Sequence, residues 1–158
     1  MPTSRHLATP ETYYSSSPAD TRRFAQKFSR QNLGGTLVLL YGPVGAGKTT
    51  FTQALAKSLG VKEPVRSPTF VLVKMYSTLG KKIQRLMHID AYRLGSFAEV
   101  EDLGMSEYLG QKNTVTVVEW PKGKRLEWPQ VPTYRITITP KGKMGREISV
   151  TKPSGARS

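Results

Sequence analysis

Apolar runs alternate with amphipathic stretches along this chain, a pattern typical of α/β folds. The run LVLLY at 37–41 is apolar or aromatic at every position and lies between Gly35 and Gly42. Such a run suits a strand buried on both faces of a sheet better than one with a face in water. Residues 48–59 instead carry apolar side chains at helical spacing and precede Gly60, a residue typical of helix C-terminal caps. We therefore predict a buried strand followed by a helix.

Further helix and strand signals flank this unit. Ser17 followed by Pro18 is typical of a helix N-cap and first helical position. The stretch 67–94 predicts two strands joined by a hairpin, and a β-branched strand ends at Glu119. A last hairpin is predicted to turn near 142–145. The elements together predict an α/β fold of three layers around a mixed, mostly parallel sheet.

Length and composition favour one domain in a reducing compartment. The 158 residues are enough to bury a core, and we predict a flexible lead over 1–14, a single domain over 15–151 and a flexible tail over 152–158. The chain has no cysteine, which excludes disulfides and thiolate metal sites. The N-terminal stretch lacks the apolar segment of a signal peptide, and the longest apolar run is too short to cross a bilayer. We expect a cytoplasmic protein without membrane contact.

The charge of the chain leaves two interpretations open. Lys and Arg number 24 against 11 Asp and Glu, which gives a formal net charge of +13. A charge of this size attracts polyanions such as RNA by long-range steering and counterion release. The same charges could instead be solvated surface groups that keep the protein soluble.

One glycine-rich segment carries a specific chemical signal. Gly42, Gly47, Lys48 and Thr49 match G-x-x-x-x-G-K-[ST], the phosphate-binding loop, between a predicted strand and a predicted helix. Glycine lets successive N–H groups turn toward one anion, and the helix N-terminus adds partial positive charge. Lysine reaches the β- and γ-phosphates, and the threonine hydroxyl ligates Mg²⁺. The alternative, a simple turn with a solvated lysine, would not require this order of residues. The predicted nucleotide-binding residues of the loop are Gly42, Val44, Gly45, Ala46, Gly47, Lys48, Thr49 and Thr50.

Two acids and a threonine are candidates for the remaining chemistry. Asp90 and Glu119 each end a predicted strand, where the C-terminal edge of a sheet meets its ligand. Carboxylates there can hold a metal or orient water, although either could be only a strand-end charge. Thr69 follows the helix where nucleotide switches keep a threonine that senses the γ-phosphate, and it could equally be a loop residue capping local backbone. We interpret His88 as a packing or hydrogen-bonding histidine.

Four stretches taken in order carry a resemblance to a known family. They are GPVGAGKTTF, SPTF, HIDAYRL and VEWP, and the likeness runs from about Leu37 to Pro121. The chain resembles the TsaE family, formerly called YjeE, the small ATPase of bacterial tRNA threonylcarbamoyladenosine (t6A) synthesis. The resemblance implies a P-loop NTPase-like fold that binds ATP and Mg²⁺. It also implies action with a complex of TsaD and TsaB, which installs the threonylcarbamoyl group beside the anticodon, and contact with tRNA through that complex.

The resemblance also assigns roles position by position. It places the phosphate-loop lysine and the metal-binding threonine at Lys48 and Thr49, and the switch-like threonine at Thr69. Its two acids fall on Asp90 and Glu119. We therefore predict Asp90, Glu119 and Lys48 as catalytic residues and Thr49 and Glu119 as metal ligands, with the division of work between the two acids left open.

The sequence leaves four alternatives to be decided. A small-molecule P-loop kinase would share the loop, but 95–113 contains no arginine that would serve a lid. A nucleotide-free RNA-binding module would rest on the charge alone. Trp120, which matches a family tryptophan, could lie near the nucleotide, mark a partner surface or anchor the core. Arg66 and Arg93 flank the motifs and are candidates for an arginine finger.

Overall fold

The fold is a single mixed sheet with helices on both faces. The structure, a computed structural model, describes residues 9–68, 70–121 and 128–153. The strands are β1 Glu11–Ser15, β2 Leu37–Tyr41, β3 Val73–Ser77, β4 Arg85–Asp90, β5 Thr114–Glu119, β6 Thr133–Lys141 and β7 Gly145–Thr151. The helices are α1 Pro18–Phe28, α2 Lys48–Ser58 and α3 Ala98–Asp102, and a 3-10 turn covers Ser106–Tyr108.

Parallel pairing occupies the centre of the sheet. The strand order is β1-β7-β6-β2-β5-β4-β3. Strand β2 pairs in parallel with β6 and β5, and β5 pairs in parallel with β4. The pairs at the two sides, β3 with β4 and β7 with both β6 and β1, are antiparallel. The prediction of an α/β fold with a mixed sheet is confirmed, and its parallel part is the four central strands.

Strand β2 has both faces buried, as its sequence predicts. Val38 and Leu40 belong to the cluster that includes α1 and α2, whereas Leu37 and Leu39 belong to the cluster on the opposite face with Val100 of α3. Side chains alternate between the faces of a strand, so an uninterrupted apolar run requires cover on both sides. Because both faces of this strand are covered, by α1 and α2 on one side and α3 on the other, the sheet is the middle of three layers.

Helix α1 begins and packs as its local sequence predicts. The Ser17 side chain accepts a hydrogen bond from the Asp20 backbone N–H at 3.2 Å, and Pro18 occupies the first turn. At the other end of the helix, the Phe28 ring lies 5.6 Å from that of Phe51 on α2 and 5.1 Å from that of Tyr134 on β6. These aromatic contacts join the two helices to the sheet.

The domain begins before its predicted N-terminal boundary. Residues 11–14, which we expected in a flexible lead, form most of β1 and pair antiparallel with β7. Lys152, expected in the tail, lies with its ammonium 3.0 Å from the Glu11 carboxylate. The rest of the predicted lead and tail, at 1–8 and 154–158, lies outside the described residues. Strand β1 was missed because it is an exposed edge strand whose sequence lacks a continuous apolar face.

Across the portion of the chain that the structure describes, no helix has both the length and the apolar character needed to span a membrane.

Candidate functional site

A cavity of about 440 Å³ opens where the central strands end. It lies at the C-terminal ends of β4 and β5 and at the N-terminus of α2, the edge where open α/β sheets bind ligands. The loop and α2 contribute Val44, Gly45, Ala46, Gly47, Lys48, Thr49 and Thr50. The facing segments contribute Ser67, Asp90, Tyr92, Glu119 and Trp120. All the predicted loop residues except Gly42 therefore line one cavity together with both predicted acids.

The backbone of the loop requires glycine at two of its positions. Gly42 has φ of 149°, and a Cβ there would lie 2.5 Å from the Ile138 carbonyl oxygen on β6. Gly47 is the N-cap of α2 with φ of 107°, a left-handed conformation that favours glycine. Among the described residues no side chain caps α2, so the N–H groups that precede that of Phe51 in its first turn have neither intrahelical nor capping partners. A helix start of this kind is suited to bind an anion.

Arg146 on β7 binds two backbone carbonyls of the phosphate loop, a contact that the sequence did not reveal. Its Nε donates to the Ala46 carbonyl and its Nη2 donates to the Gly45 carbonyl, each at 3.0 Å. These two hydrogen bonds, together with the one from the Ala46 N–H to the Pro43 carbonyl at 3.1 Å, fix the backbone of the loop. Arg146 lies about a hundred residues after the loop, and no local pattern marks it.

Lys48 is a nearly buried cation at the base of the cavity. Its Nζ donates to the backbone carbonyls of Gly42 and Pro43 and lies 3.5 Å from the centroid of the Trp120 ring. Burial lowers the pKa of the Lys48 ammonium, while the negative charges of Glu119 and Asp90 partly raise it. Because desolvation disfavours the charged form, an anion placed in the cavity would stabilise this cation.

Trp120 forms part of the cavity wall. Its backbone φ of 57° is unusual for a residue with a side chain. This backbone conformation turns the chain away from the end of β5. Its ring lies against the Lys48 ammonium and meets the Tyr92 ring edge-on at 5.6 Å. The sequence left three roles open for Trp120, and this position agrees with the role near the nucleotide, beside the predicted phosphate site.

The two predicted acids are side by side. Asp90 of β4 and Glu119 of β5 are register partners, and only 5% and 3% of their surfaces are exposed. Asp90 Oδ1 accepts the Tyr92 backbone N–H at 3.0 Å. Glu119 Oε1 lies 2.9 Å from His88 Nε2 and 3.5 Å from Thr52 Oγ1, whose hydroxyl donates to the Lys48 carbonyl at 3.0 Å. His88 is thus a buried, hydrogen-bonded histidine, as we interpreted it from the sequence.

Other predicted residues stand outside the described site. Thr69 lies outside the described residues, so its role stays a prediction. Neither Arg66 nor Arg93 lines the cavity. Both are exposed, and the Arg93 guanidinium lies 5.9 Å from the Phe70 ring. Within 9–68, 70–121 and 128–153, no group of three or more His, Cys, Asp or Glu side chains could hold a metal by itself.

Comparison with known proteins identifies the family. A sequence profile for "Threonylcarbamoyl adenosine biosynthesis protein TsaE" matches residues 15–148, most of the chain. The chain belongs to the TsaE family. Members of this family take part in tRNA threonylcarbamoyladenosine biosynthesis. The resemblance drawn from the four sequence stretches is confirmed.

Individual TsaE relatives support the assignment. The chain is 38% identical over 136 residues to the TsaE protein of Bacillus subtilis, covering 85% of this chain and 80% of that protein. It is 43% identical over 104 residues to the TsaE protein of Streptomyces coelicolor, covering 65% and 68%. The crystal structure of Bacillus subtilis YdiB matches with a TM-score of 0.73 at 30% identity, covering 94% of this chain and 89% of that one.

The Arg146 contact predicts a measurable change in the mobility of the loop. Replacing Arg146 with Met removes two hydrogen bonds to loop carbonyls, one of them exposed to solvent, which we expect to destabilise this loop conformation by about 1 kcal/mol. Amide hydrogen exchange of Ala46, whose N–H donates to the Pro43 carbonyl, should then be about fivefold faster. Arg85→Met is the matched control, because it removes two side-chain hydrogen bonds at the far end of β4. Equal exchange of the Ala46 amide in wild type and Arg146→Met would contradict a role for Arg146 in holding the loop.

Proposed function

We propose that this TsaE-family chain binds ATP with Mg²⁺ and hydrolyses the γ-phosphate as a subunit of the t6A modification machinery. One observation carries the proposal: the phosphate-loop sequence, the buried Lys48 ammonium and two acids on neighbouring strands line the same cavity. A loop of this sequence is common to many nucleotide-binding proteins, but its combination with two nearly buried carboxylates supports hydrolysis rather than binding alone.

The chemistry of the loop fits a polyphosphate. The uncapped N-terminus of α2 offers N–H groups, and Lys48 offers a cation whose pKa burial depresses. Both features are unfavourable in isolation and become favourable beside an anion. The cavity volume of about 440 Å³ falls within the range of small-molecule and cofactor sites.

The same cavity offers oxygen ligands that suit Mg²⁺. This ion prefers one or two protein oxygens together with phosphate oxygens and water, so it needs no cluster of three acids. The Thr49 hydroxyl and a Glu119 carboxylate oxygen would hold it, and its bound charge would neutralise phosphate oxygens. Asp90, held by the Tyr92 N–H, would then accept a hydrogen bond from the attacking water.

Partners complete the proposed function. By its family, we propose that the chain acts with TsaD and TsaB and meets tRNA through their complex. No arginine lines the cavity among the described residues, so the chain supplies no evident finger for the charge that develops on the γ-phosphate. A small-molecule kinase remains the alternative from sequence, but no contact in the cavity favours it.

Lys48 provides the first test. Lys48→Ala removes a charge-assisted contact of about 1.5–3 kcal/mol, so we expect ATP affinity to fall at least tenfold and phosphate release to become undetectable. Lys57→Ala is the control, because Lys57 is an exposed cation on the same helix. Affinity is measured by titration with labelled ATP and Mg²⁺, and turnover by phosphate release. Wild-type turnover in Lys48→Ala would refute the phosphate-loop assignment.

The two acids provide the second test. Asp90→Asn and Glu119→Gln keep the shape of each side chain but remove its charge, so we expect each variant to lose hydrolysis and retain measurable nucleotide binding. Steady-state phosphate release and ATP titration are compared for both variants, with thermal unfolding to verify the fold. A variant that hydrolyses ATP at the wild-type rate would show that its acid is only a strand-end charge.

Partner activation provides the third test. We expect the isolated chain to hydrolyse ATP slowly and the purified TsaD–TsaB pair to increase phosphate release at least tenfold at saturating ATP and Mg²⁺. In other nucleotide hydrolases a catalytic group supplied by a partner raises the rate by about 10³–10⁵. If the complex forms and the rates are equal, the site is complete in this chain and partner activation is wrong.

A further inference from the structure

We propose that His88 is a positioning residue that fixes the carboxylate of Glu119 so that one oxygen is held by the protein and the other faces the cavity. The positioning is a property of the fold, and its consequence for turnover rests on the proposed function.

Strand geometry brings the two side chains together. His88 on β4 is the register partner of Val117 on β5, and Glu119 lies two residues further along β5. Residues two apart in a strand share a face, so His88 and Glu119 lie on the same face of the sheet. Val117 belongs to the apolar cluster that includes α2, which places both side chains beneath that helix. The contact therefore joins two neighbouring strands under a helix and is shielded from water.

The hydrogen bonds define which nitrogen carries the proton. His88 is fully buried, its Nε2 lies 2.9 Å from Glu119 Oε1, and its Nδ1 is buried without a hydrogen-bond partner among the described residues. A proton on Nδ1 would bury an unpaired N–H and turn the Nε2 lone pair toward a carboxylate oxygen. A proton on Nε2 alone gives a donor to that oxygen and leaves only an acceptor unpaired. The geometry therefore assigns the neutral tautomer with Nε2–H.

His88 is then the donor that holds one oxygen of Glu119. Thr52 Oγ1 lies 3.5 Å from the same Oε1, but its single proton is donated to the Lys48 carbonyl at 3.0 Å, and no described residue donates to Oε2. Glu119 lines the cavity, so the unheld oxygen is the one available there to a metal or a water molecule. Asp90 differs, because a backbone N–H holds it. Of the two acids, Glu119 is the one whose orientation depends on a side chain that can be substituted, that of His88 on β4.

The tautomer can be measured without any nucleotide. The sequence contains two histidines, His6 and His88, so a His6→Gln variant leaves a single imidazole for ¹⁵N NMR. We expect an Nε2–H signal protected from solvent exchange, and its chemical shift should change in the His6→Gln/Glu119→Gln double variant. An Nδ1–H ring, or a ring whose signal is unaffected by Glu119→Gln, would overturn the proposal.

The functional consequence is tested with paired substitutions. His88→Gln places an amide donor near the position of Nε2, whereas His88→Leu fills the space without a donor. We expect His88→Leu to lower kcat for phosphate release by about 10- to 100-fold with KM for ATP changed less than threefold, and His88→Gln to recover much of the loss. Crystal structures of both variants should show the Glu119 carboxylate displaced in Leu and retained in Gln.

Each outcome decides a separate question. Wild-type kcat in His88→Leu, or an unmoved Glu119 carboxylate in that variant, would overturn the positioning role. If His88→Leu does not fold, a His88→Gln variant that keeps the carboxylate orientation and most of kcat supports the role, and one that folds but loses kcat overturns it. If the wild-type chain releases no phosphate even with its partners, the proposed function fails, while the NMR signals and the two crystal structures still decide whether His88 positions Glu119.

Discussion

The buried ammonium of Lys48 is the interaction on which the rest of the site depends. A cation removed from water must be compensated, and here the carbonyls of Gly42 and Pro43, the face of Trp120 and the charges of Asp90 and Glu119 share that task. None of these groups forms a close ion pair with the ammonium among the contacts that the structure describes. These contacts allow the ammonium to be buried in the folded protein. A bound anion would stabilise its charged form further, as expected of a phosphate-binding lysine.

The parallel centre of the sheet explains why these groups meet. Strands β2, β4 and β5 run in the same direction, so the loop after β2 and the acids that end β4 and β5 lie at one edge. Groups separated by tens of residues in sequence thereby line one cavity. The antiparallel strands at the sides contribute differently: β7 reaches under the loop through Arg146, and β1 extends the edge of the sheet.

The parts of the fold and site that local sequence determines were predictable. The run 37–41 requires cover on both faces, the glycines of the loop require special backbone conformations, and Asp90 and Glu119 were recognised because each ends a strand signal. Contacts between distant segments were not predictable. Strand β1 pairs with β7 through backbone groups that leave little pattern in sequence, and the Arg146 and His88 contacts depend on register and strand order. The assignment of Thr69 stays a prediction.

The central claim is that residues 42–49 enclose the phosphates of ATP. A crystal structure of the chain with a non-hydrolysable ATP analogue and Mn²⁺, with the metal located by anomalous scattering, tests it most directly. The account predicts that β- and γ-phosphate oxygens accept hydrogen bonds from loop N–H groups and from Lys48 Nζ, with Mn²⁺ bonded to the Thr49 hydroxyl. An analogue bound away from the loop, or a loop whose N–H groups and Lys48 make no contact with phosphate, would contradict it.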